Sequence, residues 1–142
     1  AGRYVEAERQ VRDSLGMRRR LLGNAHPDVA SSLTSLAILQ VATRKYADAL
    51  DSAREAVKIY SAALSATHWR TAIPASAQGA ALAGLGRYAE AEKILLPAYS
   101  ILTHDIGASK TYATLAQRYL DDLRRREALA SQTRPAASQT PP

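Results

Sequence analysis

The chain has 142 residues, 46% of them apolar and 23% charged, a size and balance that fit one packed domain rather than a disordered tail. It contains no cysteine, which excludes a disulfide framework, a thiolate metal site and a cysteine nucleophile, and no apolar run approaches the ~20 residues of a membrane span. Lys and Arg number 19 against 13 Asp and Glu, a net charge of +6, but acids are scattered among the bases, so an anionic partner is permitted rather than demanded.

A repeat organises the sequence. Gly2-Arg3-Tyr4-Val5-Glu6-Ala7-Glu8 returns as Arg44-Lys45-Tyr46-Ala47-Asp48-Ala49-Leu50 and again as Gly86-Arg87-Tyr88-Ala89-Glu90-Ala91-Glu92. Tyr4, Tyr46 and Tyr88 stand 42 residues apart, as do Ala7, Ala49 and Ala91. Ser14, Ala56 and Ala98 keep one slot small, and His26 aligns with His68. A fixed period of this length marks stacked supersecondary units that bury their faces against their neighbours.

In chain order, the pattern predicts a helix over about 3–22, ended by Gly23-Asn24, and a second over 27–43. Pro27 suits a position whose amide has no helical partner, and Asp28 suits the first turn. Val29, Leu33, Leu36, Ala37 and Val41 form its apolar stripe. The third helix, 46–66, carries Ala49, Ala53, Ala56, Val57 and Tyr60 on one face, where small residues let helices approach closely. Helices over 70–85, 88–103 and 108–124 and a short one over 126–132 follow, making about seven. No stretch alternates with a two-residue period, so no sheet is expected. Pro74 is expected to delay its helix until about Ile73, and Pro97 to kink or break the next. Leu115-Ala116 match Leu36-Ala37 if the connection around His104 is shorter than its counterparts. The stretch 131–142, proline-bearing, small and polar, reads as a disordered tail.

A small residue in the first helix, Gly-Arg-Tyr at the turn and Glu-Ala-Glu entering the second helix resemble tetratricopeptide repeats. The 42-residue step, with Gly23-Asn24-Ala25-His26-Pro27-Asp28-Val29-Ala30 and Ser32-Leu33-Thr34-Ser35-Leu36-Ala37, resembles the kinesin light chain type. His68-Trp69-Arg70-Thr71-Ala72 through Gly86-Arg87-Tyr88 also resembles repeats near the C-termini of bacterial serine/threonine kinases. The resemblance implies an all-α solenoid of helical hairpins in a right-handed superhelix over 1–130. Its parts would be the second helix of a truncated repeat (2–22), repeats over 27–66 and 69–103, and a degenerate repeat over 108–130. Further repeats would precede Ala1, and the apolar face left uncovered at the N-terminal end would offer a route to self-association.

The function so implied is a non-catalytic, cytoplasmic scaffold that binds a peptide or a partner helix in its concave groove. Carried over slot by slot, the groove residues are Thr34, Ile38 and Val41, then Ser76, Ala80 and Ala83, then Ala113, Gln117 and Leu120. Thr34, Ser76 and Gln117 would hydrogen-bond the partner's backbone. Thr34 and Ser35 stand where the kinesin light chain pattern has asparagines, and Gln78 stands in a leucine slot. Two alternatives are a regulatory, substrate-recruiting segment of a larger signalling enzyme such as a kinase, and a purely structural cap.

Other motifs carry less chemistry. Gly79, Gly84 and Gly86 lack the Gly-Lys-Ser/Thr of a phosphate loop, and His26-Pro27-Asp28 matches the tripeptide of J-domain co-chaperones but recurs here as a linker slot. His26, His68 and His104 fall in successive connections, too far apart for a metal site or a triad, and read as linker caps. Glu6/Glu8, Glu90/Glu92 and Asp121/Asp122 read as solvated faces. The kinase motifs are missing, so no catalysis, cofactor or metal is expected. Arg18-Arg19-Arg20 and Arg124-Arg125-Arg126 suit helix C-termini and lack an aromatic platform for bases, so neither nucleic acid nor a membrane is expected as a partner.

Overall fold

Short connections rich in turn-forming residues divide the chain into six helices in the computed structural model, which describes residues 2–133. They are α1 (Gly2–Leu22), α2 (Pro27–Ala42), α3 (Tyr46–Ala63), α4 (Trp69–Gly84), α5 (Tyr88–His104) and α6 (Lys110–Thr133). No strand occurs among the described residues.

The helix starts and stops repeat with the sequence. His26 precedes α2, and its Nδ1 accepts the Asp28 N–H at 3.0 Å. His68 precedes α4 and accepts the Arg70 N–H at the same distance. Each imidazole thus satisfies an amide that the first helical turn leaves without a partner. At the other end, Arg44 and Gly86 take positive φ, 62° and 79°. The Lys45 amide donates to Gln40 O and the Arg44 amide to Val41 O, and Arg87 and Gly86 repeat this pair on Leu82 O and Ala83 O. This is the Schellman closure, which turns the chain back on itself within three residues. Glycine adopts the left-handed conformation freely, whereas Arg44 is strained there.

Helices consecutive in sequence pack on each other, and α4 also packs beside both α2 and α6, while the backbones of α1, α3 and α5 stay apart and α1 meets α3 only through side chains. The even-numbered helices therefore form the tighter, inner layer of a two-layered array. Its centre is α4, in contact with α2, α3, α5 and α6. Small residues make that possible: Ala72, Ala77, Ala80, Ala81 and Ala83 are buried, and a Cβ on Gly79 would sit 2.9 Å from the Cβ of Leu95 on α5. The Tyr46 ring of α3 occupies the space that a side chain on Gly84 would need. Tyr46 is held in turn from α6, where Arg126 lies over its ring and donates from Nη2 to its hydroxyl at 2.8 Å. Leu50, Leu82, Leu95, Tyr119, Leu120 and Leu123 fill the core around this point. Between α2 and α3 a buried Ser52 hydroxyl donates to Gln40 Oε1 at 2.8 Å, so the polar slot in the interior is satisfied.

Four expectations are corrected. There are six helices rather than seven among the described residues, because α6 runs through the expected gap near 125, where Asp122 accepts from both Arg125 and Arg126. It continues to Thr133, three residues into the expected tail, and 134–142 lie outside the described residues. Pro74 does not delay α4, which starts at Trp69, and α5 runs unbroken through Pro97. A proline removes one helical hydrogen bond, and the buried Ile73 and Ala77 around Pro74, and Leu95 and Ala98 around Pro97, hold both sides of each helix in the core.

Two substitutions test this geometry by chemical denaturation. Gly84→Ala forces a methyl into the Tyr46 ring and should cost about 2 kcal/mol. Arg44→Gly removes the backbone strain and should stabilise by about 1 kcal/mol.

Candidate functional site

The small side chains that let α4 approach its neighbours also decide which inner-layer residues remain accessible. Of the nine groove positions, Thr34, Ser76, Ala80, Ala83 and Leu120 are buried. The Thr34 and Ser76 hydroxyls donate within their own helices, to Ala30 O and Ile73 O, both at 2.7 Å. Ala80, Ala83 and Leu120 belong to the central core, with Val41 packed against it. Ile38 and Ala113 are partly buried, and Gln117 Nε2 donates to Asp121 Oδ1 at 2.9 Å. Ile38 reaches a cavity.

That cavity, of about 510 Å³, lies between α2 and α6 across α4, lined by Ile38 and by Lys110, Thr111, Tyr112, Thr114, Leu115 and Arg118. A second, of about 320 Å³, lies at the starts of α2 and α4, with Pro27, Asp28, Ser31, Tyr60, Trp69, Arg70, Ile73 and again Tyr112 in its wall. Tyr112 is the shared boundary, so the two cavities adjoin along the inner layer. The α6 residues 111, 114, 115 and 118 follow helical spacing; that periodicity was available in the sequence, but slot-by-slot transfer from the earlier repeats selected their neighbours.

Aromatic packing dominates the smaller cavity, which holds one cation, Arg70, and one carboxylate, Asp28. Trp69 stacks on His68 with ring centroids 5.6 Å apart, and the Arg70 guanidinium lies 5.2 Å over its ring. Gly107 packs on the same indole, where a Cβ would be 2.9 Å from Trp69 Nε1. Burial pushes the Tyr60 phenol up, with a hydrogen bond to Ser31 opposing it, so the ring enters the wall as a neutral donor. Lys110, Arg118 and Arg70 enter none of the ion pairs among the described residues. Asp28 is the one carboxylate in either wall. The site is apolar at Ile38, Leu115 and Ile73, with an excess of positive charge.

The arginine runs are used differently. Arg19 makes a bidentate pair with Glu55 at 2.8 and 3.0 Å, and Arg18 donates to Asp28 O and Ser32 Oγ. Arg125 and Arg126 pair with Asp122. Among the described residues no three His, Asp or Glu side chains gather as a metal site would need. Glu8 is not a solvated carboxylate: it is 7% exposed, and its oxygens accept from Lys45 Nζ and Arg12 Nη2, each at 2.9 Å. The Lys45 hydrogen bond, then that of Arg12, holds its carboxyl below the usual glutamate range.

Residues 1–62 match the family model described as a tetratricopeptide repeat. No curated protein matches the chain.

Because the fold lowers the Glu8 pKa from its ordinary 4.5, the stabilisation is complete above that value and is lost as pH falls through the lower, folded-state one. Glu8→Gln should therefore cost about 1 kcal/mol at neutral pH. The gap to wild type should close in denaturant titrations repeated in acid.

Proposed function

We propose that the tetratricopeptide repeats matched over residues 1–62 continue through the array, and that, as such repeats generally mediate protein–protein interactions, its inner layer is a non-catalytic binding groove for a peptide or partner helix. The observation that carries this reading is the pair of adjoining cavities walled by α2 and α6 over α4. Ile38 and Leu115 offer an apolar socket, Tyr112 divides it from the Trp69 cavity, and Lys110, Arg118 and Arg70 carry charge outside any ion pair among the described residues. The complementary ligand is a segment with an apolar side chain for the socket and carboxylates beside it. Such contacts combine apolar burial with charge complementarity, the first setting how long the complex lasts and the second how fast it forms. Affinity is modest, because a short array buries little surface and the ligand loses its freedom on binding.

This groove differs from the one obtained by carrying over family slots. Ser76 and Ala80 are buried and line neither cavity, and α4 contributes Trp69, Arg70 and Ile73 from its first turns instead. The hydrogen bonds to a partner's backbone fall instead to Ser31, Thr111, Thr114 and the Tyr112 hydroxyl, on the cavity walls.

Selection of a random peptide library on the immobilised chain tests the groove. Enriched peptides should combine acidic residues with an apolar one. Thr114→Arg, at an exposed wall position, should weaken them about tenfold by filling the socket, and Arg118→Glu should do so by reversing its charge. Thermal melting should be unchanged in both. Equal binding by wild type and both variants would remove the groove from the account.

A further inference from the structure

Alternating helices place the C-termini of α1, α3 and α5 and the N-termini of α2, α4 and α6 on one edge of the array, joined by the connections 23–26, 64–68 and 105–109. One slot on that edge is aliphatic each time: Leu22, Leu64 and Ile106 are 42 residues apart. All three are exposed, at 44%, 41% and 102%, and Leu21 beside the first is 75% exposed. The same period that produces the core therefore also leaves an exposed aliphatic side chain at each of the three connections, fully so at Ile106. Isolated surface leucines are ordinary, but recurrence at one slot on one edge makes a ridge. None of these side chains lines a cavity described above; the ridge offers protrusions and no socket.

The edge also carries three cations outside any ion pair against two carboxylates. Arg20 in the last turn of α1, Arg70 at the start of α4 and Lys110 at the start of α6 enter no ion pair among the described residues. The two carboxylates of this edge are Asp28, beside the neutral His26 cap, and Asp105, the acceptor for the Gly107 N–H at 2.8 Å.

We propose that this edge docks on an anionic lipid bilayer, with Leu22, Leu64 and Ile106 inserted at the headgroup boundary and Arg20, Arg70 and Lys110 against the anionic headgroups. Protruding aliphatic side chains flanked by free cations fit an interface that needs no shape complementarity, whereas a folded protein partner would need a socket to meet its own side chains. No described helix is long and apolar enough to cross a membrane, so the contact is peripheral. Arg70 and Lys110 also stand in the walls of the inner-layer cavities, but vesicle binding is read without peptide, so its success or failure is separate from that of peptide binding.

The test is co-sedimentation of the full chain with vesicles of phosphatidylcholine containing about one-third phosphatidylserine, against vesicles of phosphatidylcholine alone. The expected result is binding to the anionic vesicles and little to the neutral ones. Ile106→Asp, at a fully exposed position, should lower binding about tenfold without changing the melting temperature, and Leu64→Ser should lower it less. Trp69, the chain's one tryptophan, packs against Gly107 next to Ile106 and reports the orientation: brominated acyl chains should quench it in the bound state. Wild-type chain left in the supernatant overturns the proposal. So does binding that high salt abolishes and Ile106→Asp leaves unchanged, since charge alone then explains it, and so does bound chain whose Trp69 remains unquenched.

Discussion

The closeness of α4 to its four neighbours is the constraint from which the rest follows. At Gly79 the backbone of α4 meets the Cβ of Leu95, and at Gly84 it meets the flat face of Tyr46. Two glycines in one helix oppose helix formation by roughly 1 kcal/mol each relative to alanine, so their place in α4 reflects packing rather than propensity. With α4 drawn in, α2 and α6 stand above it as walls, and the space between them becomes a cavity. A bulkier α4 would push the walls apart and fill the floor; the groove is a by-product of how the core is closed.

Charge is arranged with the same economy. Glu8, Glu55, Glu90 and Asp122 each meet a basic side chain within the array. Arg19 and Arg126, from the two arginine runs, act between helices, on α3. Of the cations outside these pairs, Arg70, Lys110 and Arg118 stand in the cavity walls. Net positive charge, uninformative as a total, thus becomes informative once the paired residues are set aside.

The architecture was legible in the sequence because a repeat reports the same packing several times. Tyr4, Tyr46 and Tyr88 gave the period, Pro27 and Gly86 a helix start and a helix stop, and His26 and His68 the caps. What failed was local. Pro74 and Pro97 argued for interruption, and nothing adjacent in sequence revealed that buried neighbours would hold each helix together across the missing hydrogen bond. Glu8 looked like its exposed neighbour Glu6, because the residue that covers it, Lys45, comes from the next hairpin. The groove slots misled for a related reason: whether Ala80 is a contact or a floor depends on how far α4 sinks between α2 and α6, a tertiary distance that no spacing along the chain encodes. Tyr112 and Leu115 carried a helical pattern of their own, but it lay in the repeat whose register departs from the others.

In a solenoid each unit normally senses only the next, so an end can fray without consequence further in. The bond from Arg126 to the Tyr46 hydroxyl joins residues 80 apart, tying the last helix to the first complete hairpin. It acts as a stitch across the array: opening α6 exposes the tyrosine face resting on Gly84, and the strain passes directly to α3. The array is thereby made more cooperative than its linear order suggests, and its C-terminal end is a closure rather than a loose end.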